Sequence, residues 1–144
     1  VAKENAVATG VAERAGFLRS DVYSALPLDK KFDIIVSNPP YIPAADIAGL
    51  AKDVQNEPIG ALDGGEDGLD FYRRITKEAP LHMVEDGLLA FEIGIYQGEA
   101  VAEMCKATGF GAVAIRKDYA GIERMVFAAK EGGKYADLLL EIAK

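Results

Sequence analysis

Phe32-Asp33-Ile34-Ile35-Val36-Ser37-Asn38-Pro39-Pro40-Tyr41 is a nearly continuous apolar run that stops at two adjacent prolines. A short apolar run ended by a breaker describes a strand covered on both faces, as in a parallel sheet flanked by helices, so Lys31–Ser37 is predicted to be such a strand. Each proline fixes its own φ and pushes the residue before it toward extended geometry, which leaves Asn38 and Pro39 stiff before any ligand arrives. Open α/β sheets bind ligands at the carboxyl ends of their strands, where this tetrapeptide sits. Asn38 brings a side-chain carbonyl and Pro39 a backbone carbonyl, and two neighbouring acceptors suit a planar NH2 group, each taking one hydrogen. An amide nitrogen is a weak nucleophile, so orientation and hydrogen bonding must replace a strong base in its methylation. Tyr41 can stack its ring on such a flat group. The plainer alternative is an Asn-Pro turn that closes a strand, with Tyr41 merely packed.

Upstream, Val1–Thr9 is rich in helix formers and stops at Gly10, and Phe17–Arg19 suggests a short strand. Downstream, Pro39–Gly68 turns to Pro, Gly, Asp and Asn with weak periodicity, predicting a long surface loop of the kind that carries function. Asp70–Val84 places Phe71, Ile75, Ala79 and Met83 four apart, predicting a helix with one buried stripe and Pro80 as a point of bending. After a turn at Glu85-Asp86-Gly87, Leu88–Ile93 reads as a second buried strand and Gln97–Thr108 as a helix ended by Gly109. Gly111–Arg116 and Met125–Ala129 predict two strands around a turn at Asp118–Glu123, and Lys134–Lys144 a terminal helix. The alternation implies an α/β fold with a mostly parallel sheet closed by a C-terminal antiparallel hairpin, within a single domain over residues 1–144.

At 144 residues with half of them apolar, the chain can bury a core without metals or disulfides. Its longest apolar runs fall far short of the roughly 20 residues a membrane helix needs. One cysteine excludes an intramolecular disulfide and a cysteine metal cluster, a single histidine leaves almost no material for Ser-His-Asp catalysis or a multi-histidine metal site, and a reducing cytoplasm is the expected setting. No signal peptide is visible, although the first residue is Val1 rather than Met. The formal charge of -7 opposes phosphate neutralisation, so nucleic acid is a poor candidate partner.

Asn38-Pro39-Pro40-Tyr41 resembles the NPPY signature of amino-group methyltransferases, and the wider sequence resembles the HemK/PrmC release-factor glutamine methyltransferases. The resemblance also rests on Ser20-Asp21, Ile42-Pro43, Asn56-Glu57-Pro58, Ala61-Leu62, Asp67-Gly68-Leu69, Glu92-Ile93-Gly94, Gln97-Gly98-Glu99-Ala100 and Arg116 through Arg124. It implies a Rossmann-like sheet, S-adenosyl-L-methionine as methyl donor and a glutamine amide of a peptide chain release factor as acceptor. Asn38 and the Pro39 carbonyl would hold the NH2, with Pro40 stiffening the turn and Tyr41 packing on the amide. Asp21 and Val22 match positions beside the adenine, and Asn38 one near the methionine portion; members often carry a larger residue where this chain has Val22. The family's glycine-rich loop and ribose-binding acid would lie upstream of Val1, in strands absent here. The expectation is a C-terminal part of the catalytic domain that binds the cofactor weakly or not at all on its own.

Competing readings keep the chemistry but change the acceptor to a ribosomal-protein glutamine or a nucleic-acid base, or make the chain a noncatalytic fragment. Among weaker signals, Asp63–Gly68 reads as a mobile acidic loop rather than a phosphate loop, since its acids would repel an anion. His82 is expected to be partly exposed, Cys105 to be an inert core thiol, and Glu92 to be a buried carboxylate bracing the site through backbone N–H groups.

Overall fold

A computed structural model of the chain describes residues 1–51 and 54–142. Its elements run α1 (Ala2–Ala8), β1 (Phe32–Ser37), α2 (Asp70–His82), β2 (Met83–Glu92), α3 (Gly98–Ala107), β3 (Ala112–Lys117), β4 (Glu123–Ala129) and α4 (Ala136–Ile142). The four strands lie in the order β1-β2-β4-β3. β1 pairs parallel with β2, and β4 runs against both β2 and β3, so β1, β2 and β3 share one direction. This is the predicted α/β sheet with its terminal antiparallel hairpin. Of the predicted terminal helix, Ala143 and Lys144 lie outside the described residues.

The period-two alternation of the strands sorts their side chains onto two faces. Leu89, Phe91 and Ile93 of the β2 segment and Val126 and Ala128 of β4 join Tyr72, Ile75 and Ala79 of α2 and Val101 and Cys105 of α3 in one core. On the other face, Ala112, Ala114 and Ala129 pack with Ala136 and Leu139 of α4. Fully burying a side chain such as Phe91 or Val101 contributes about 2 kcal/mol, and most of these sit on the α2–α3 face. α3 stops where Gly109, at φ 99°, lets the Phe110 N–H reach the Cys105 carbonyl at 3.1 Å while Phe110 drops into the core. Cys105 is buried there with its thiol pushed up to about 12 by desolvation, in keeping with an inert core residue. No helix among the described residues is long and apolar enough to cross a membrane.

Four expectations need correction. Phe17–Arg19 is not a strand; a strand exists by pairing, and among the described residues this segment pairs with none. β1 is covered on one face only: Ile35 packs on the α2 side, whereas Ile34 and Val36 are 49% and 73% exposed. α4 covers β3 and β4 but does not extend over β1, the edge strand of the sheet. The turn foreseen at Glu85-Asp86-Gly87 is instead a bulge within β2, where the pairings Phe32–Met83 and Ile34–Leu88 set two steps of β1 against five of β2. His82 is not partly exposed but 2% exposed, its ring stacked on Tyr23 with centroids 4.8 Å apart. Pro80 lies inside α2, which continues for two more residues and ends as Met83 turns extended.

Candidate active site

The parallel pairing of Ser37 with Phe91 brings the carboxyl ends of β1 and β2 side by side, and Asn38-Pro39-Pro40-Tyr41 follows directly from β1. Pro39 is buried, Pro40 and Tyr41 are half-buried, and Asn38 is exposed. Among the described residues the Asn38 side chain makes no hydrogen bond, which leaves its carbonyl available as an acceptor. Pro39 and Pro40 line two clefts at once. One, of about 430 Å³, continues past Ser37 to Val22, Tyr23, Leu26 and Phe71. The other, of about 280 Å³, contains Asn38 and Tyr41 together with Ile42, Glu57 and Leu62.

The long loop is tied to this turn rather than draped over the surface. Ile42 N–H donates to the Leu62 carbonyl at 3.0 Å, and Gly64 N–H returns a bond to the Ile42 carbonyl at 2.9 Å, forming a short parallel bridge between Ile42 and Asp63. Ala44 N–H reaches the Gly65 carbonyl at 2.9 Å. Short 3-10 turns at Ala44–Gly49, Val54–Asn56 and Ile59–Ala61 give the loop its own local order. The acidic stretch is anchored as well: Asp63 accepts from the Gly65 N–H at 2.9 Å, Asp67 accepts from the Leu69 N–H at 3.1 Å, and the Arg73 guanidinium pairs with Asp67. That guanidinium holds the Asp67 carboxyl down at about 2.

Tyr41 is gripped from several directions. Its carbonyl accepts from Gln97 Nε2 at 3.0 Å, and the same amide also donates to the Gly68 carbonyl at 3.3 Å and accepts from the Gly94 N–H at 2.9 Å. A side chain on Gly68, whose φ is 76°, would meet the Tyr41 carbonyl oxygen at 2.4 Å. Arg124 lies with its guanidinium 5.8 Å from the Tyr41 ring centroid and donates to the Tyr41 hydroxyl at 3.4 Å. Glu92 pairs with Arg124 at 3.6 Å. The carboxylate foreseen as buried against backbone N–H groups is therefore partly exposed and pairs with Arg124 near the start of β4, while its backbone carbonyl accepts from Tyr72 Oη at 2.9 Å.

No family model matches the chain. The release factor glutamine methyltransferase of Cereibacter sphaeroides is 46% identical over 129 residues, covering 89% of this chain and 46% of that protein. The protein of the same name in Bacillus cereus is 46% identical over 134 residues, covering 91% and 47% respectively. The chain belongs to the release factor glutamine methyltransferase family. It spans about half the length of the curated relatives it matches. A solved structure, the protein-(glutamine-N5) methyltransferase (release factor-specific) of Alicyclobacillus acidocaldarius, is 30% identical with a TM-score of 0.46, covering 70% of this chain and 50% of that one.

Within this member of the release factor glutamine methyltransferase family, the two residues matched to the adenine side part company. Val22 lines the larger cleft, its backbone held at φ 53°, a conformation that costs a β-branched residue about 1–3 kcal/mol. Asp21 does not line it and forms an exposed 2.7 Å ion pair with Arg74 instead. Reading from residue types singled out neither Gln97 nor Arg124 as functional. Their contacts reach Tyr41 from 56 and 83 positions away, and only a folded chain brings them together.

Proposed function

We propose that the intact protein methylates the side-chain amide nitrogen of a glutamine in a peptide chain release factor, with S-adenosyl-L-methionine as donor, and that residues 1–144 form part of its single catalytic domain. The supporting observation is the shared wall: Pro39 and Pro40 separate a mainly apolar cleft reached by Val22 from a cleft holding Asn38 and Tyr41. The first cleft fits the adenosyl end of the cofactor, because Val22, Leu26 and Phe71 offer an apolar wall to a flat purine and the volume of about 430 Å³ accommodates it. Bound there, S-adenosyl-L-methionine supplies an electrophilic methyl group.

The acceptor side is the work of this chain's own residues. The Asn38 side-chain carbonyl and the Pro39 backbone carbonyl each accept one hydrogen of the glutamine NH2, drawing electron density onto nitrogen and leaving its lone pair to face the methyl group that the cofactor would supply. Tyr41 packs against the amide plane and limits water around it. The names of the relatives support a release factor as partner, and the cytoplasm is where a translation factor is met. A nucleic-acid acceptor finds no support in a chain of net charge -7.

The decisive experiment uses the full-length protein. Asn38→Ala should lower methyl transfer to a release factor by about 100-fold or more, the scale of losing one oriented hydrogen-bonding group at a reacting centre. Cofactor affinity measured by calorimetry should change by less than about threefold. Equal losses in both quantities would contradict the assignment of Asn38 to the acceptor.

A further inference from the structure

We infer that Gln97 is the positioning residue of this site, an amide bracket that fixes the Tyr41 backbone and thereby aims the Asn38–Pro39 acceptors; the inference rests on the proposed amide methylation. Gln97 stands at the N-terminal boundary of α3, half-buried, and joins three separate segments through one side chain. Its Oε1 accepts from the Gly94 N–H at 2.9 Å, just past the end of β2. Its Nε2 donates to the Tyr41 carbonyl at 3.0 Å and to the Gly68 carbonyl at 3.3 Å, in the turn and in the acidic loop. Both amide hydrogens and the amide oxygen are thus employed, which only an amide of this length can arrange: a carboxylate has no donor, an ammonium no acceptor.

The surrounding glycines show how closely the bracket is fitted. A Cβ on Gly94 would stand 2.7 Å from Gln97 Oε1, and one on Gly68 would stand 2.8 Å from Nε2. The backbone therefore comes up against the amide on two sides, and Tyr41 has little latitude between them. Pro39 and Pro40 are rigid, so a displacement of Tyr41 is passed along the turn to the Pro39 carbonyl instead of being absorbed in between. Misplacing a reacting group by about 1 Å can cost about 100-fold in rate.

Gln97→Glu in the full-length protein tests this. It preserves shape and the bond from Gly94 but turns a carboxylate oxygen toward two carbonyl oxygens. The expected result is a kcat about 10- to 100-fold below wild type, with KM for the release factor and the cofactor dissociation constant each within about threefold. Gln97→Met, which removes all three bonds without adding charge, should show the same split and serves if the Glu variant does not fold. A kcat within about threefold of wild type in the folded variant, or a loss confined to KM, overturns the role. Crystal structures of wild type and variant supply an arm independent of activity: an unmoved Tyr41 carbonyl also overturns it. A wild-type enzyme that transfers no methyl to release-factor glutamine breaks the proposed function instead, while the displacement of Tyr41 still decides the bracket.

Discussion

Tyr41 and Val22 lie toward opposite sides of the Pro39-Pro40 wall, and the chain holds them by different means. The Tyr41 turn is enclosed by Gln97, Arg124 and closely approaching glycines, with one hydrogen bond to its backbone carbonyl from Gln97 and one to its hydroxyl from Arg124, both distant in sequence. The Asp21-Val22 segment is held by local turn bonds, such as Ser24 N–H to the Asp21 carbonyl at 3.1 Å, by one exposed ion pair to Arg74 and by apolar packing of Val22 against the core. It flanks β1, whose Ile34 and Val36 are exposed. Under the proposed function the two sides face different demands. A weakly nucleophilic amide needs its acceptors fixed to within a fraction of an ångström, whereas a purine against an apolar wall gains most of its binding from burial, which tolerates looser placement.

The strongest way to break this contrast is to strain the enclosed side directly. Gly68→Ala would force a side chain into the Tyr41 carbonyl at a φ of 76°. It should cost about 3 kcal/mol in denaturant unfolding, since steric conflict with backbone adds to left-handed strain. Gly109→Ala is the matched control: its φ is 99°, but nothing lies within 4 Å of the added Cβ, and about 1 kcal/mol is expected. Similar costs at the two positions would mean that the Tyr41 turn yields readily, and the enclosure would lose its significance.

How far these features were legible in the sequence depends on the range of the forces that make them. The apolar run into two prolines placed β1 and the Asn38–Tyr41 turn correctly, because burial and proline geometry are written in consecutive residues. Helices α2 and α3 and the hairpin were legible for the same reason: periodicity and the punctuation of Gly109 are local. Phe17–Arg19 failed because strand character requires a neighbour to pair with, and composition does not announce one. His82 failed because its burial depends on Tyr23, 59 positions earlier, coming to lie against the end of α2. In the site, the Asn38 acceptor pair could be argued from residue chemistry, but Gln97 carried no sign of its role: an amide before a helix is commonplace until three backbone segments converge on it.

A smaller effect sharpens the other side of the comparison. Asp21→Ala removes an ion pair whose side chains are 70% and 43% exposed, so stability should change by no more than about 0.5 kcal/mol. Cofactor affinity of the full-length protein should fall about fivefold if Asp21 turns from Arg74 to the adenine on binding, the value of one hydrogen bond. Calorimetry showing unchanged affinity would leave Val22 and its apolar neighbours as this chain's whole contribution to that cleft.

The smallest expected effect concerns the ion pair of the acidic loop, a loop that meets the Tyr41 turn through backbone groups at Gly64, Gly65 and Gly68. Arg73 holds the exposed Asp67 carboxyl at about 2, below its ordinary 3.8. A depressed folded-state value means that the pairing contributes above the ordinary value and is lost as pH falls through about 2. Arg73→Gln should therefore raise the Asp67 midpoint toward 3.8, a shift that carboxyl-carbon NMR titration can read. The amide resonances of Tyr41 and the side-chain NH2 of Gln97 should not follow that titration. Their bonds run between uncharged groups, and the contact at Gly68 is made by a backbone carbonyl whose acceptor strength owes little to a neighbouring exposed charge. Should those resonances move with the Asp67 midpoint, the turn would be held by the ion pair of the loop rather than by the amide of Gln97, and the enclosed side of the site would prove sensitive to acid where a neutral bracket predicts indifference.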